Sequence, residues 1–180
     1  MTKYAALLRG IGPGDPNMRN EKLRGVFEKL GFGNVQSFIS SGNILFETDE
    51  SDTQALEQRI EQALQKDLGI NSAAILRSQE DLEYLAGSNM FAGYEHKPET
   101  YLTVTFLKHL VEVKPEMLPN PTSKSCVVLG FDAQVRALCV CTDTTTSKTP
   151  DTMRWLETIL SKDITTRTWA TVSRITRKLA

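Results

Sequence analysis

Short apolar runs alternate with amphipathic stretches along the first third of the chain. Residues 4–8 are an uninterrupted apolar run that ends at Arg9 and leads into a loop rich in glycine and proline. Such a run, bounded by turn residues, predicts a strand buried on both faces. A helix ending at Gly31 is predicted next, because apolar residues recur at helical spacing: Leu23, Val26, Phe27 and Leu30.

The following residues predict a β-hairpin and then a second helix. Residues 34–40 and 44–48 are rich in β-prone side chains, and the Gly42-Asn43 pair between them is a hairpin signal. The second helix should begin at Ser51, a residue type that caps helices well.

These elements, completed by a strand at residues 73–77, follow the order β-α-β-β-α-β. That order is the split βαβ, or ferredoxin-like, unit. In this topology the first and third strands lie side by side and antiparallel, because each crossover is right-handed. The end of the first strand should therefore meet the bend at Gly42-Asn43.

The second half repeats this order less clearly, after a polar connection at residues 89–100. We predict an α+β protein of two ferredoxin-like subdomains with mainly antiparallel sheets and a C-terminal helix. The predicted division is residues 1–88, which include a linking helix capped by Ser78, and residues 89–180. The elements predicted for the second half are a half-buried strand at 101–107, a helical turn at 115–118, a hairpin of residues 126–129 and 135–141, a helix from Pro150, a strand at 164–167 and a helix capped by Thr168.

Polar side chains converge at the predicted bend. Arg9 supplies a positive charge, and Ser41 and Asn43 supply a hydroxyl and an amide beside backbone N–H groups, a collection that favours an anion. In the alternative interpretation Arg9 bonds the carbonyls of the two turns, where serine, asparagine and glycine are ordinary residues. Asp15 and a loop spacing unlike that of Walker or dinucleotide loops argue against a phosphate cradle.

A second candidate ligand site precedes the closing helix, at Thr166, Arg167 and Trp169. The helix dipole repels a cation at the position of Arg167, so this arginine needs an anionic partner or free exposure to water. Trp169 is more typical of a core residue than of a stacking platform.

Composition limits the class of protein. The net charge of -1 gives no general attraction to nucleic acid or acidic membranes. We predict a cytoplasmic protein, because the N-terminus lacks a secretory pattern and no apolar run approaches the ~20 residues that span a bilayer. Cys139 and Cys141 lie two apart on a predicted strand, which favours buried, reduced thiols over a zinc site.

No catalytic constellation, metal site or cofactor motif is recognised in the sequence. His96 and His109 are the only histidines, and neither has neighbours at metal or triad spacing. We expect no cofactor, and whether the protein is an enzyme stays open, with serine or threonine chemistry at Ser41 or Thr166 as an alternative.

Five segments form a specific set in the order 4–11, 23–32, 41–46, 103–107 and 165–172. The first reads Tyr-Ala-Ala-Leu-Leu-Arg-Gly-Ile, and the last reads Thr-Thr-Arg-Thr-Trp-Ala-Thr-Val. Together they resemble a bacterial family known as domain of unknown function 1697. The resemblance implies two ferredoxin-like subdomains and no established activity.

Two segments depart from the pattern of that family. Its members typically carry Asn-Val-Gly-Gly-Lys-Asn after the first Gly-Ile, whereas residues 12–17 here read Gly-Pro-Gly-Asp-Pro-Asn. The lost lysine and the added aspartate weaken anion binding by this loop. The Thr-Arg-Asn-Trp of the family is Thr-Arg-Thr-Trp at residues 166–169, where Thr168 can still cap the helix.

The preferred hypothesis is a protein that binds a small anionic or nucleotide-like ligand near Arg9 or Arg167, without membrane association. One alternative is single-stranded nucleic-acid binding on an open sheet face, for which Tyr4 and Phe46 are the aromatic candidates. Another alternative is a partner-binding scaffold or homo-oligomer whose sheets pair edge to edge. The sequence does not determine the oligomeric state.

Overall fold

The computed structural model describes residues 1–39, 42–111, 126–145 and 150–180, without the side chains of residues 150–153 and 155. Internal contacts divide the chain into two compact units, Met1–Leu82 with Ile175–Ala180, and Glu83–Arg174. Each unit contains a four-stranded antiparallel sheet. The fold class is therefore α+β with two ferredoxin-like subdomains, as the order of elements predicts.

The sheet of the first unit has the strand order β2-β3-β1-β4. Its strands and the helices of the first half are β1 (Thr2–Leu8), α1 (Asn20–Lys29), β2 (Gly33–Ser37), β3 (Asn43–Thr48), α2 (Thr53–Leu68), β4 (Ala74–Ser78) and α3 (Gln79–Gly87). The predicted antiparallel pairing of β1 with β3 is confirmed, with Leu7 opposite Asn43.

The central strand β1 is buried on both faces. Tyr4, Ala6 and Leu8 point into a core that includes residues of α1 and α2. Ala5 and Leu7, which point to the opposite face, are 0% and 1% exposed. The prediction of a strand buried on both faces, made from the uninterrupted apolar run at residues 4–8, is therefore confirmed.

The second sheet repeats the first, with the strand order β6-β7-β5-β8. Its strands and the remaining helices are β5 (Tyr101–Leu107), β6 (Cys126–Asp132), β7 (Ala137–Thr142), α4 (Pro150–Ile159), β8 (Ile164–Thr168) and α5 (Trp169–Leu179). The helical turn predicted at residues 115–118 lies outside the described residues.

Two predicted boundaries were wrong because local hydrogen bonding and pairing decide them. Asp52 caps α2 in place of Ser51, since Asp52 Oδ1 accepts a hydrogen bond from Ala55 N at 3.0 Å. The strand β6 continues through Gly130, beside a register shift, and ends at Asp132. Glycine is common at such bulges, so it did not mark the turn.

Three further differences concern strand ends and burial. The strand β2 stops at Ser37, and Ile39 adopts a left-handed φ of 57°. Asn43 belongs to β3 and is 2% exposed. The strand β5 is more buried than its alternating pattern predicts. Thr105, on the side predicted to be exposed, is 0% exposed, and its Oγ1 lies 2.7 Å from Thr166 Oγ1.

Candidate functional site

Arg9 follows β1 at a point where three chain segments meet. Its N–H donates to Ala73 O at 3.0 Å, and its carbonyl accepts a hydrogen bond from Ser72 Oγ at 2.7 Å. On the other side, Leu8 N–H donates to Gly42 O at 2.8 Å. Residues that are distant in sequence thus hold the backbone at the start of the loop.

The bend at Gly42 packs directly against this loop. Gly42 adopts a φ of 82°, and a Cβ there would lie 2.9 Å from Ile11 Cγ1 and 3.1 Å from Leu8 O. Only glycine combines this conformation with this approach. Asn43 follows as a buried strand residue, and Ser41 lies outside the described residues. Ligand binding by Arg9, Ser41 and Asn43 stays a prediction.

Asp15 is bonded within the loop itself. Its Oδ1 accepts a hydrogen bond from Asn17 N at 2.8 Å and caps the 3-10 turn Pro16–Met18. Gly12 N lies 3.3 Å from Met18 Sδ, which folds the loop back on itself. The Asp15 carboxylate, which argues against an anion site in this loop, therefore accepts a hydrogen bond from a backbone N–H group of the same loop.

A cavity of about 330 Å³ lies between this loop and the first turn of α1. Its volume is at the small end of the range typical of small-molecule sites. Its lining combines loop residues with the start of the helix: Ile11, Gly12, Pro13, Met18, Arg19, Asn20 and Glu21.

The helix α1 begins without a side-chain cap. Arg19 occupies the N-cap position and makes no capping hydrogen bond through its side chain. The first N–H groups of α1, at the positive end of its dipole, belong to Asn20 and Glu21, which line the cavity. Arg19 adds a full positive charge, and Glu21 adds a carboxylate. This lining suits a small ligand with an anionic group and a hydrogen-bond donor.

Sequence reasoning did not single out Arg19. A lone arginine in a polar loop carries no pattern, and only its position before an amphipathic helix could have indicated a role. Its residue type is a poor helix cap, which leaves first-turn N–H groups for another acceptor.

Arg167 lies on β8 and is held by its own strand. Its Nη1 donates to Thr165 Oγ1 at 2.7 Å and to Thr166 O at 2.9 Å. Burial lowers the pKa of Arg167 to about 10, so the guanidinium stays charged at neutral pH. Thr168 Oγ1 accepts a hydrogen bond from Thr171 N at 3.2 Å, which confirms the predicted cap of α5.

The other residues of this second candidate site have structural partners. Thr166 Oγ1 lies 2.7 Å from Thr105 Oγ1. The ring of Trp169 lies 4.9 Å from the ring of Phe91, at an interplanar angle of 37°. These contacts favour packing roles, and a ligand at Thr166, Arg167 and Trp169 stays a prediction.

Arg77 is a buried cation that sequence reasoning missed. It lies opposite Ala5 in the first sheet, as Arg167 lies opposite Val104 in the second. Its Nη1 donates to Leu76 O at 2.6 Å, and the residue is 1% exposed. The signal in the sequence is an arginine followed by a serine or threonine helix cap at the last strand of each half.

Among the described residues, no three histidine, cysteine, aspartate or glutamate side chains are grouped so that they could hold a metal ion. Cys126, Cys139 and Cys141 are buried and form no disulfide among the described residues, and the burial of Cys139 and Cys141 agrees with the prediction from their spacing. Burial raises the pKa of Cys139 to about 12. His109 Nε2 lies 3.4 Å from Asp163 Oδ2 at an exposed position. In the described residues, no helix has the length and apolarity that crossing a membrane requires.

Comparisons with known proteins agree with this architecture. The solved structure of the conserved bacterial protein SP0830 from Streptococcus pneumoniae is similar, with a TM-score of 0.74 and 23% sequence identity over 99% of both chains. At that identity the similarity shows the fold alone. No curated protein matches the chain significantly. The sequence profile of the family described as "Protein of unknown function (DUF1697)" matches residues 1–125. Because this match covers more than half of the chain, the protein belongs to the DUF1697 family.

Proposed function

We propose that this protein binds a small molecule with an anionic group in the cavity between the β1–α1 loop and the first turn of α1. The observation that supports this best is the position of the cavity at a helix start without a side-chain cap, with Arg19 in its lining. A helix N-terminus and an adjacent cation favour the same ligand group.

The expected affinity follows from these two interactions. An anion at a helix N-terminus is stabilised by about 0.3–1 kcal/mol, and a hydrogen bond to a charged group contributes about 1.5–3 kcal/mol. Their sum, about 2–4 kcal/mol, corresponds to millimolar binding or weaker. Tighter binding therefore requires apolar contact with Ile11, Pro13 and Met18, which also line the cavity.

The carboxylate of Glu21 restricts the ligand class. It lines the same cavity as Arg19, so a ligand with several negative charges is disfavoured. A monoanion with a hydrogen-bond donor satisfies both side chains. Arg9 lies two residues before the first lining residue and is not itself part of the lining.

Nucleic-acid binding through an open sheet face has less support. Tyr4 and Phe46 are 3% and 1% exposed and belong to the core that includes residues of α1 and α2. Their rings stack on each other at 5.6 Å. Stacking of bases requires accessible rings, which these two residues do not offer.

Isothermal titration calorimetry and thermal unfolding test this proposal, with glycolate and lactate as monoanionic probes that carry a hydroxyl donor and acetate as a monoanion without one. A probe at about ten times its Kd should stabilise the protein by about 1.4 kcal/mol. Arg19→Ala should weaken binding about tenfold or more, because it removes the charge at the helix start. The matched control is Arg154→Ala, an exposed arginine on α4, which should bind as the wild type does.

Glu21→Gln gives an independent check with the opposite sign. Removing this carboxylate should strengthen binding of the same probe, since like charges repel. The proposal is wrong if no probe binds the wild type at concentrations up to about 100 mM, or if Arg19→Ala and Arg154→Ala bind equally well.

A further inference from the structure

The two edge strands of the first sheet differ in how their outer backbone groups are bonded. Arg9 N–H donates to Ala73 O, which sets the alternation along β4 and turns the N–H groups of residues 74, 76 and 78 outward. Each of these three groups donates to a carboxylate at 2.9 Å: Ala74 to Glu61, Leu76 to Glu57 and Ser78 to Asp81. The edge at β4 is therefore occupied by side chains of its own chain.

The opposite edge, at β2, has outward backbone groups for which the described part of the chain supplies no hydrogen-bond partner. Phe38 N–H donates to Asn43 O at 3.0 Å, and Gln36 pairs with Leu45. The backbone groups of Val35 and Ser37 therefore point away from the sheet. Within the described residues, no hydrogen bond reaches these outward groups. An unpaired edge of this kind is a template for another strand.

The sequence around β2 lacks the charges that usually protect an edge. Residues 31–46 contain no aspartate, glutamate, lysine, arginine or histidine. Proteins commonly place lysine or another charged residue on an exposed edge to prevent pairing. The strand β2 and the residues that flank it therefore place no charged side chain of their own on this edge.

Charges on the adjacent helix α1 are self-complementary. Arg24 Nη1 donates to Ser37 Oγ at 2.7 Å, which places Arg24 beside the edge at β2. Glu21 and Glu28 lie three residues before and four residues after it, on the same side of the helix, and both are exposed. A second copy related by a two-fold axis would run its α1 antiparallel and set its own glutamates near Arg24.

We propose that β2 pairs antiparallel with β2 of a second copy of this chain, about a two-fold axis at Gln36. Val35 would then exchange hydrogen bonds with the partner's Ser37, and Ser37 with the partner's Val35. Gln36 would lie directly opposite the partner's Gln36, at a position where Cβ atoms are about 4.5–5.5 Å apart. The pairing needs no ligand at the β1–α1 loop, although Glu21 lies both on this side of α1 and in the lining of that cavity.

A charge-swap experiment tests the two-fold axis. Light scattering and sedimentation should show concentration-dependent dimers of the wild type between about 1 µM and about 200 µM, the range expected for a small interface. Gln36→Lys and Gln36→Glu should each be monomeric, because like charges then face each other across the axis. An equal mixture of the two variants should recover the dimer, since the opposite charges attract.

The matched control is Gln65→Lys, the same change at an exposed position of α2, which should leave dimerisation unchanged. Circular dichroism should show the wild-type spectrum for each variant, because exposed substitutions change stability by only about 0.5 kcal/mol. The proposal is overturned if the wild type is monomeric throughout the range, if Gln36→Lys still forms dimers, or if the mixture stays monomeric.

Discussion

The strands β4 and β8 occupy the same place in the two sheets but have different partners at their outer edges. The next-to-last residue of each strand is an arginine whose Nη1 donates to the preceding carbonyl, and each strand leads into a helix with a hydroxyl cap. In β4 the outward N–H groups donate to carboxylates. In β8, among the described residues, no side chain accepts from the outward N–H groups, and Thr166 bonds Thr105 across the sheet.

This difference shows that the same strand arrangement can form with or without side-chain acceptors for the outward N–H groups of its edge strand. Two of the three carboxylates that accept hydrogen bonds from β4 belong to Glu57 and Glu61. These residues lie one turn apart on α2 and so reach alternate residues of the strand. Each of these two glutamates accepts the hydrogen bond of one backbone N–H group, so replacing the glutamate removes the acceptor of that group. We therefore expect the first sheet to depend on individual side chains more strongly than the second.

The largest expected difference concerns the two arginines. Arg77→Ala should lower the free energy of unfolding by about 3–5 kcal/mol, because it empties a fully buried volume and leaves buried acceptors unpaired. Arg167→Ala, at a half-buried position, should cost about 1–2 kcal/mol. Urea unfolding measures both, with Arg154→Ala as the exposed control. Equal losses for Arg77 and Arg167 would contradict the comparison.

The next largest effect on the free energy of unfolding should come from Glu57, whose carboxylate accepts a hydrogen bond from β4. Glu57→Ala should cost about 2 kcal/mol, because Leu76 N–H loses a charged acceptor in a buried position. Glu57→Gln keeps a carbonyl acceptor and should cost less, about 1 kcal/mol. Denaturant unfolding of the two variants checks the order, and a larger loss for Glu57→Gln would show that the hydrogen bond is not the cause.

Sensitivity to alkaline pH should begin at a lower pH in the second sheet than in the first, where burial raises the pKa of Tyr4 from 10.0. Cys139 lies opposite Val104, at the place where the first sheet has Leu45 opposite Ala5. Its pKa is raised from 9.0 to about 12, chiefly by burial, so the unfolded state loses this proton first. The stability from this group is complete below pH 9 and falls as the pH rises, by up to about 1.4 kcal/mol per unit.

Denaturant unfolding between about pH 8.5 and about pH 9.5 measures the start of this fall, in a window below the lowered pKa of Arg167, which is about 10. Cys139→Ala should be less stable at every pH but should show a shallower fall. An unchanged slope in Cys139→Ala would assign the pH dependence to other groups. Burial also raises the pKa of Cys141, which adds to the slope in both proteins.

The smallest difference should be between the two helix caps. Asp81 N–H donates to Ser78 Oγ at 3.1 Å, and Thr171 N–H donates to Thr168 Oγ1 at 3.2 Å. Ser78→Ala and Thr168→Ala should each cost about 1 kcal/mol. Thermal unfolding should give nearly equal losses, and a difference above about 1 kcal/mol would show that the two corners are not equivalent.

Much of the fold was predictable because burial leaves a periodic pattern in the sequence. The apolar run before Arg9 and the helical spacing before Gly31 gave two elements close to their observed bounds. Boundaries failed where two neighbouring residues could play the same part, as at Ser51 and Asp52, or where Gly130 lies in a strand beside a register shift.

The candidate site was less predictable than the fold. Pairing of β1 with β3 brought Arg9 to the bend at Gly42, as the topology required. Arg19 and the cavity were missed, since they depend on how the loop folds back on α1. The hydrogen bond from Asn17 N–H to the Asp15 carboxylate could not be predicted from the sequence either, because hydrogen-bond partners within a loop follow no periodic pattern.

By itself the sequence determined the order of strands and helices, their topology and the family, because these follow from local periodicity and from extended similarity. Only the tertiary structure decided which backbone groups are bonded and which are free. Ser72 bonds Arg9 across 63 residues, and Glu57 bonds Leu76 across 19. Such partners are selected by the packing of whole elements, so no local pattern in the chain records them.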